Sequence, residues 1–344
     1  MNAPVRIEPV ERGFANMLTR KVLLLSICAA ALLALPAFAS IRYVFLTSEL
    51  LIAILYATSL NLLMGYGGML SLGQAAYFSL GAYAAALLMT RLAWPMEAAM
   101  LAGPLVATLG ALVFGVFIVR TSHQEHAYFL MLTLAFSQLI YAALFKWYSV
   151  TRGDDGITGI MASGLLGTPR SYCYFVMLVV ALSLYALRRI VDSPFGATLQ
   201  AIRDNPQRAA FVGLSVRRYQ LLAFVIAGFF AGVAGVLHAF FSGTISPQIA
   251  DWSASARPFF ANTIGGVQSF WGPVAGVLVL ELIDTQVGRF TEHSLLAVGA
   301  MALLVGIFMP QGVAGLITGR GAAASGTPWM RWLIRRPKQE PVAK

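Results

Sequence analysis

Charge is the scarcest feature of this chain. Of 344 residues only 11% are Asp, Glu, Lys or Arg, against about 25% in an ordinary soluble domain. With 58% of its residues apolar, the chain cannot clothe itself in a normal aqueous surface. Two cysteines, Cys28 and Cys173, fall in separate apolar runs and make no disulfide framework. No Gly-Lys dipeptide occurs, which excludes a phosphate-cradling P-loop and ATP hydrolysis by that route. A His-Glu-x-x-His zinc helix is missing too, since His123-Gln124-Glu125-His126 has the wrong spacing. No catalytic residue, metal or cofactor is expected, and any work done against a gradient must be powered by a partner or a coupling ion.

What fills the chain instead is apolar sequence in runs long enough for a helix to cross about 30 Å of hydrocarbon. These runs are apolar all round, not alternating as barrel strands are, so a helical bundle is expected. Spans are predicted near 22–39, 44–64, 70–90, 96–119, 126–145, 171–187, 219–241, 258–270, 272–287 and 294–310. The run at 258–270 is short, carries Gly265 and Gly266, and reads as broken or re-entrant. The sequence therefore predicts an all-α polytopic membrane protein of about ten helices. Its parts are a tail over 1–21, a membrane domain over 22–311 with a long loop at 188–220, and a basic tail over 312–344.

The net charge of +10 follows membrane topology. An even number of spans puts both termini and most of the 24 Lys and Arg residues on one side, which the positive-inside rule makes cytoplasmic. Bilayer is the partner this implies, and nucleic acid is not.

Three segments stand out. The 188–220 loop carries Arg188, Arg189, Arg203, Arg208, Arg217 and Arg218 against Asp192 and Asp204. Ser193 is a predicted N-cap with Pro194 at the first helical position, and Phe195, Leu199 and Ile202 then share one face. Asn205-Pro206 ends that helix and starts another, which passes Ala209 and Ala210 and stops at Gly213. Such a two-helix knob suits a groove on a cytoplasmic partner; a loop that only sets topology is the alternative.

The second segment, Gly65 to Tyr83, is rich in Gly, Ser and amide groups and holds no ionised side chain. Its Gly67-Gly68-x-x-Ser71 pattern returns as Gly265-Gly266-x-x-Ser269. Paired glycine breaks in two halves of a chain are how many transporters place a solute path near the midplane. Gly67, Gly68, Ser71, Gln74, Gly265, Gly266 and Ser269 are thus the candidate path residues, with close helix packing as the other reading. The third segment is a Gly-rich external loop with Asp154 and Asp155, either a partner contact or simply solvated. Asn61, Gln138, His238 and Glu281 are the few polar residues in or near spans, with His238 and Glu281 close to the outer ends.

Taken in order, the 65–83 segment, Gly153-Asp154-Asp155-Gly156-Ile157-Thr158-Gly159, Ser193-Pro194-Phe195-Gly196 through Arg203-Asp204-Asn205, and Gly265-Gly266 through Trp271-Gly272-Pro273 resemble the branched-chain amino acid ABC transporter permeases, specifically the M-type of the two paralogous subunits. The resemblance implies a heteromeric importer of the bacterial inner membrane. Its other parts would be a second, paralogous permease, two cytoplasmic ATPases and a periplasmic solute-binding protein. It makes the 193–213 segment the ATPase-coupling element, with Ser193, Pro194, Arg203, Asp204, Asn205, Arg208, Ala209, Ala210 and Gly213 as its candidate residues, of which Arg203, Asp204, Asn205, Ala209, Ala210 and Gly213 match the family's pattern. Arg208 stands where the family's signature carries glutamate, and the spacing to Gly213 is shorter. Urea and amide importers have similar permeases, and an ion-coupled secondary transporter is a more distant alternative.

Overall fold

The computed structural model describes residues 36–121, 126–160, 162, 164–287, 299 and 312–313. The predicted span at 294–310, most of that at 22–39, and the two tails apart from 312–313 lie outside the described residues. Among the described residues, ten helices of six residues or more carry the architecture. They are α1 (Ile41–Asn61, continued by a wider π turn over Leu62–Tyr66), α2 (Gln74–Leu92), α3 (Met96–Thr121), α4 (His126–Lys146), α5 (Pro169–Val191), α6 (Pro194–Asp204), α7 (Pro206–Phe211), α8 (Val216–Ser242), α9 (Trp252–Gly265) and α10 (Gly272–Val287). Among the described residues, six helical segments are long and apolar enough to cross a bilayer: α1 with its π turn, α2, α3, α4, α5 and α8. This is an all-α polytopic membrane fold with one minor exception. Ile157–Thr158 and Thr244–Ile245 form a two-residue antiparallel ladder joining the loops that follow α4 and α8.

Helix α8 is the hub, packing on α3, α2 and α1. Its Gly228, Gly232 and Gly235 lie on one face, and a Cβ at each would collide in turn with Ala111, Ala107 and the Phe78 carbonyl. Hydrocarbon gives apolar side chains no hydrophobic reason to pair, so helices associate where small residues let backbones come close. The opposite side of α3 presents Leu101, Leu105, Leu109 and Val113 outward, as suits lipid.

Two predicted boundaries are corrected. The span placed at 70–90 begins at Gln74, because Gly67 to Gly73 leave the helix and fold back into the protein. The short span placed at 258–270 is a helix over Trp252–Gly265. Pro258 lies inside it, in a position that deprives the Ala254 carbonyl of its helical donor. The Tyr56 hydroxyl reaches that carbonyl at 3.4 Å, and Asp251 caps the start through the Ser253 amide. At 1.5 Å per residue α9 is about 21 Å long, short of the hydrocarbon thickness.

Replacing Gly232 by Leu drives a side chain into Ala107 and Pro104 and should cost about 1–3 kcal/mol. Leu105→Ala, at a position 59% exposed, should change stability by less than about 0.5 kcal/mol. Thermal unfolding of the detergent-solubilised protein distinguishes the two.

Candidate functional site

The last turns of α1 leave carbonyls that its own helix cannot fill. The π turn hands the Gly67 amide to the Leu62 carbonyl at 3.1 Å and the Met69 amide to Leu63 at 2.9 Å. Gly68 adopts φ +66°, a left-handed geometry that glycine takes without steric cost, and the chain reverses. Leu72 then gives its amide to the Thr133 hydroxyl of α4 at 3.2 Å. Ser71 and Gln74 end up fully buried. The Gln74 amide donates to Ser59 of α1 at 3.0 Å and to the Ala227 carbonyl of α8 at 3.1 Å.

The second glycine break meets the first. Asn61 donates to the Ser269 carbonyl at 3.1 Å, and Asn262 donates back to the Ala57 carbonyl at 3.0 Å. A Cβ on Gly65 would collide with the Val267 carbonyl, and one on Gly265 with Gly272. Gly266 takes φ +106°. The two Gly-Gly segments are therefore one structural unit, in which backbones touch because no side chain keeps them apart. The side-chain oxygens of Asn61, Gln74 and Asn262 are buried along this seam with no protein partner among the described residues.

Both predicted sets of residues converge here through one side chain. Arg203, near the end of α6, donates from Nη1 to the Gly65 carbonyl at 2.7 Å. A Cβ on Gly68 would lie 2.6 Å from Arg203 Cγ, so the Gly68 backbone forms the floor on which Arg203 rests. Arg203 also pairs with the neighbouring Asp204 at 3.0 Å.

Behind that contact the loop is well packed. Leu199 and Ile202 are buried, and Phe195 stacks on Tyr219 of α8 with ring centroids 5.7 Å apart. Ile202, Ala209 and Val216 form a small apolar cluster. Asn205 caps α7 by accepting the Arg208 amide at 2.8 Å, and Gly213 ends the unit at φ +90°. Ser193 is the N-cap of α6, with extended backbone, and Pro194 opens the helix, both as predicted, but the Ser193 side chain makes no capping bond. Its hydroxyl donates to the Ile190 carbonyl at 2.6 Å, because a serine just past a helix end serves that helix's orphan carbonyls in preference to the next helix's amides. Ala210 is exposed, and Phe211 and Val212 beyond it are 92% and 82% exposed.

Away from Arg203, a cavity of about 370 Å³ opens between α1, α9 and α10, closed at the back by Phe78 and His238. Its charged lining is Glu49, Arg257, Glu281 and Asp284. Of these the sequence reading singled out only Glu281; a charge inside an apolar run was the available signal for the other three. None of the seven predicted path residues lines this cavity. Gln138 has a partner in Asp251, donating at 3.0 Å. In the external loop Asp155 accepts the Tyr148 hydroxyl at 2.7 Å, a bond that raises the phenol above its ordinary pKa. Asp154 is exposed beside it.

A bundle of membrane-crossing helices with a largely apolar cavity and an inward-folded glycine seam defines a multi-pass membrane protein. The comparisons specify it further. The family described as the permease component of branched-chain amino acid transport systems matches residues 42–309, and the chain belongs to it. It is 27% identical to the high-affinity branched-chain amino acid transport system permease protein LivM of Escherichia coli, over 76% of this chain and 68% of the relative. With LivM of Salmonella typhimurium it shares 26% identity over 91% and 79% of the two chains. LivH of Escherichia coli is 31% identical over a shorter stretch, 41% of this chain and 46% of the relative. No solved structure matches.

Substituting Gly68 by Val should dislodge Arg203 from the Gly65 carbonyl, and tryptic cleavage after Arg203 and Arg208 should quicken by about tenfold, the factor for a charge-assisted bond of roughly 1.4 kcal/mol. Gly159→Val is the control, because Gly159 also has positive φ but nothing stands where a Cβ would go; cleavage in 193–213 should stay at the wild-type rate.

Proposed function

We propose that this chain is the M-type permease subunit of an ABC importer for branched-chain amino acids in a bacterial inner membrane. The observation that carries the reading is the family match over 42–309, joined to coverage of LivM relatives that extends well beyond the coverage of LivH. On this reading the chain has about ten spans and both termini in the cytoplasm. It pairs with a paralogous permease, takes its solute from a periplasmic binding protein, and relies on two cytoplasmic ATPases, since its own sequence holds no P-loop.

The 193–213 unit is the coupling element. Its fixed side is the Phe195, Leu199 and Ile202 face, and its free side is the exposed Phe211–Val212 tip flanked by Arg208. An apolar tip in a basic surround fits a groove on a partner, where a few buried aromatic and arginine anchors carry most of the binding energy. Movement of the ATPases on that tip is passed by Arg203 to the Gly65 carbonyl. The path, lined on one break by Gly67, Gly68, Ser71 and Gln74 and on the other by Gly265, Gly266 and Ser269, then opens as the breaks part at their Gly65–Val267 and Asn61–Ser269 contacts, which would expose the amide oxygens of Asn61, Gln74 and Asn262, buried without a protein partner among the described residues, to the passing solute and water.

Affinity purification from native membranes, with mass spectrometry of what accompanies the tagged chain, tests the assembly. Recovery of a paralogous permease and P-loop ATPases is expected. Phe211→Asp with Val212→Asp, both at exposed positions, should remove the ATPases by at least about tenfold, as loss of a buried aromatic anchor of roughly 2 kcal/mol requires, while the second permease stays. A chain that purifies alone and moves solute down an ion gradient in liposomes contradicts the proposal.

A further inference from the structure

From the cavity between α1, α9 and α10 we infer a transit site for a zwitterionic α-amino acid with an aliphatic side chain, Arg257 taking the carboxylate and Glu49 with Glu281 taking the ammonium. The inference rests on the importer reading for the identity of the traffic, and on the cavity alone for the chemistry.

The volume of about 370 Å³ lies at the small end of the roughly 300–1,000 Å³ range of ligand sites, suited to a molecule of amino-acid size. Each of the three helices contributes both apolar and charged lining. Ile52, Phe260, Val277 and Leu280 supply apolar surface, where burial of a branched side chain gains about 25 cal/mol per Å². Charge is confined to one guanidinium and three carboxylates. Arg257 donates to Asp284 at 2.8 Å, with the arginine side chain 65% exposed and the aspartate 22%. That ion pair holds the guanidinium in place by one edge. A planar fork with five N–H donors has further edges to offer, and carboxylate is the group whose two oxygens match it.

Among the described residues no cation is ion-paired to Glu49 or Glu281, and the close contact of Arg257 is with Asp284. A divalent cation is the other ligand that acidic groups suggest. Among the described residues, however, no three His, Cys, Asp or Glu side chains converge to hold a metal. An ammonium needs only two carboxylates and a desolvated approach. The remaining net negative charge disfavours acidic amino acids. Position adds to the case: Glu49 is about 24 Å up α1 from Gly65 at helical rise, so the site lies at the far end from the Arg203 contact. The close-packed seam between Asn61, Asn262 and the paired glycines lies between the two.

The test uses the full chain in its native membranes with Cys28 and Cys173 replaced by Ala and Ala53, on the cavity wall, replaced by Cys. The rate of modification by a hydrophilic methanethiosulfonate reports occupancy without requiring transport. Leucine should slow modification, while isopentylamine and 4-methylpentanoate, each carrying one of leucine's two charged groups, should need about tenfold or more higher concentration for the same protection. Arg257→Gln should abolish the advantage of leucine over isopentylamine. Arg257→Gln with Asp284→Asn should do the same without leaving an unpaired carboxylate. Equal protection by leucine and isopentylamine in the wild type overturns the role of Arg257, and no protection by leucine overturns the site. Leucine uptake by the same cells is measured alongside: uptake without protection leaves the importer reading standing and the site refuted, whereas protection without uptake does the reverse.

Discussion

A helix that ends inside a bilayer leaves carbonyls with no donor of their own, and hydrocarbon supplies no water to take them. The π turn that continues α1 over Leu62–Tyr66 leaves the Gly65 carbonyl in need of such a donor. The donor that completes it comes from another part of the chain, Arg203 of the cytoplasmic loop, at 2.7 Å. Because each unmet polar group in lipid costs several kcal/mol, the loop is tied to the break by the same physics that makes the break permissible. The second break obeys the same constraint. Asn61 of α1 donates to the Ser269 carbonyl in the turn that follows α9, and Asn262 of α9 donates to the Ala57 carbonyl of α1.

This arrangement gives the molecule two ends with different chemistry and one close-packed seam between them. Far from Arg203 is an open cavity with charged groups on an apolar wall. Near Arg203 the chain is sealed by backbone-to-backbone contact at Gly65, Gly265 and Gly272. A seal made of glycine backbones separates without dragging side chains through one another. Along it the amide oxygens of Asn61, Gln74 and Asn262 are buried without a protein partner among the described residues, groups for which a hydrogen bond is favourable. A loop packed through Leu199, Ile202 and Phe195 is rigid enough to deliver a push to that seam.

Local rules made part of this legible in advance. The face of Phe195, Leu199 and Ile202 followed from helical spacing, and the stops at Asn205-Pro206 and Gly213 followed from backbone preference. The glycine pairs were readable as breaks because nothing else in an apolar run lets a backbone turn. Contact between the pairs was not readable: Gly65 and Val267 meet through atoms every residue has, so no local pattern records it. The start of α9 was misplaced at Pro258 because a proline usually begins or ends a helix. Here Tyr56, some two hundred residues away, tends the carbonyl that the ring leaves free. The charged lining of the cavity was missed for a related reason. Glu49, Arg257 and Asp284 each stand alone in an apolar segment, and only the fold brings them to one cavity.

The central claim is that Arg203 transmits work from the partner ATPases to the glycine seam. Its most direct test is the number of solute molecules taken up per ATP hydrolysed by the assembled importer in liposomes, for wild type and for Arg203→Met. If the claim holds, the variant still assembles and hydrolyses ATP while uptake per ATP falls by about tenfold or more, as loss of a charge-assisted bond predicts. An unchanged ratio, whether both rates persist or both fall together, would contradict it.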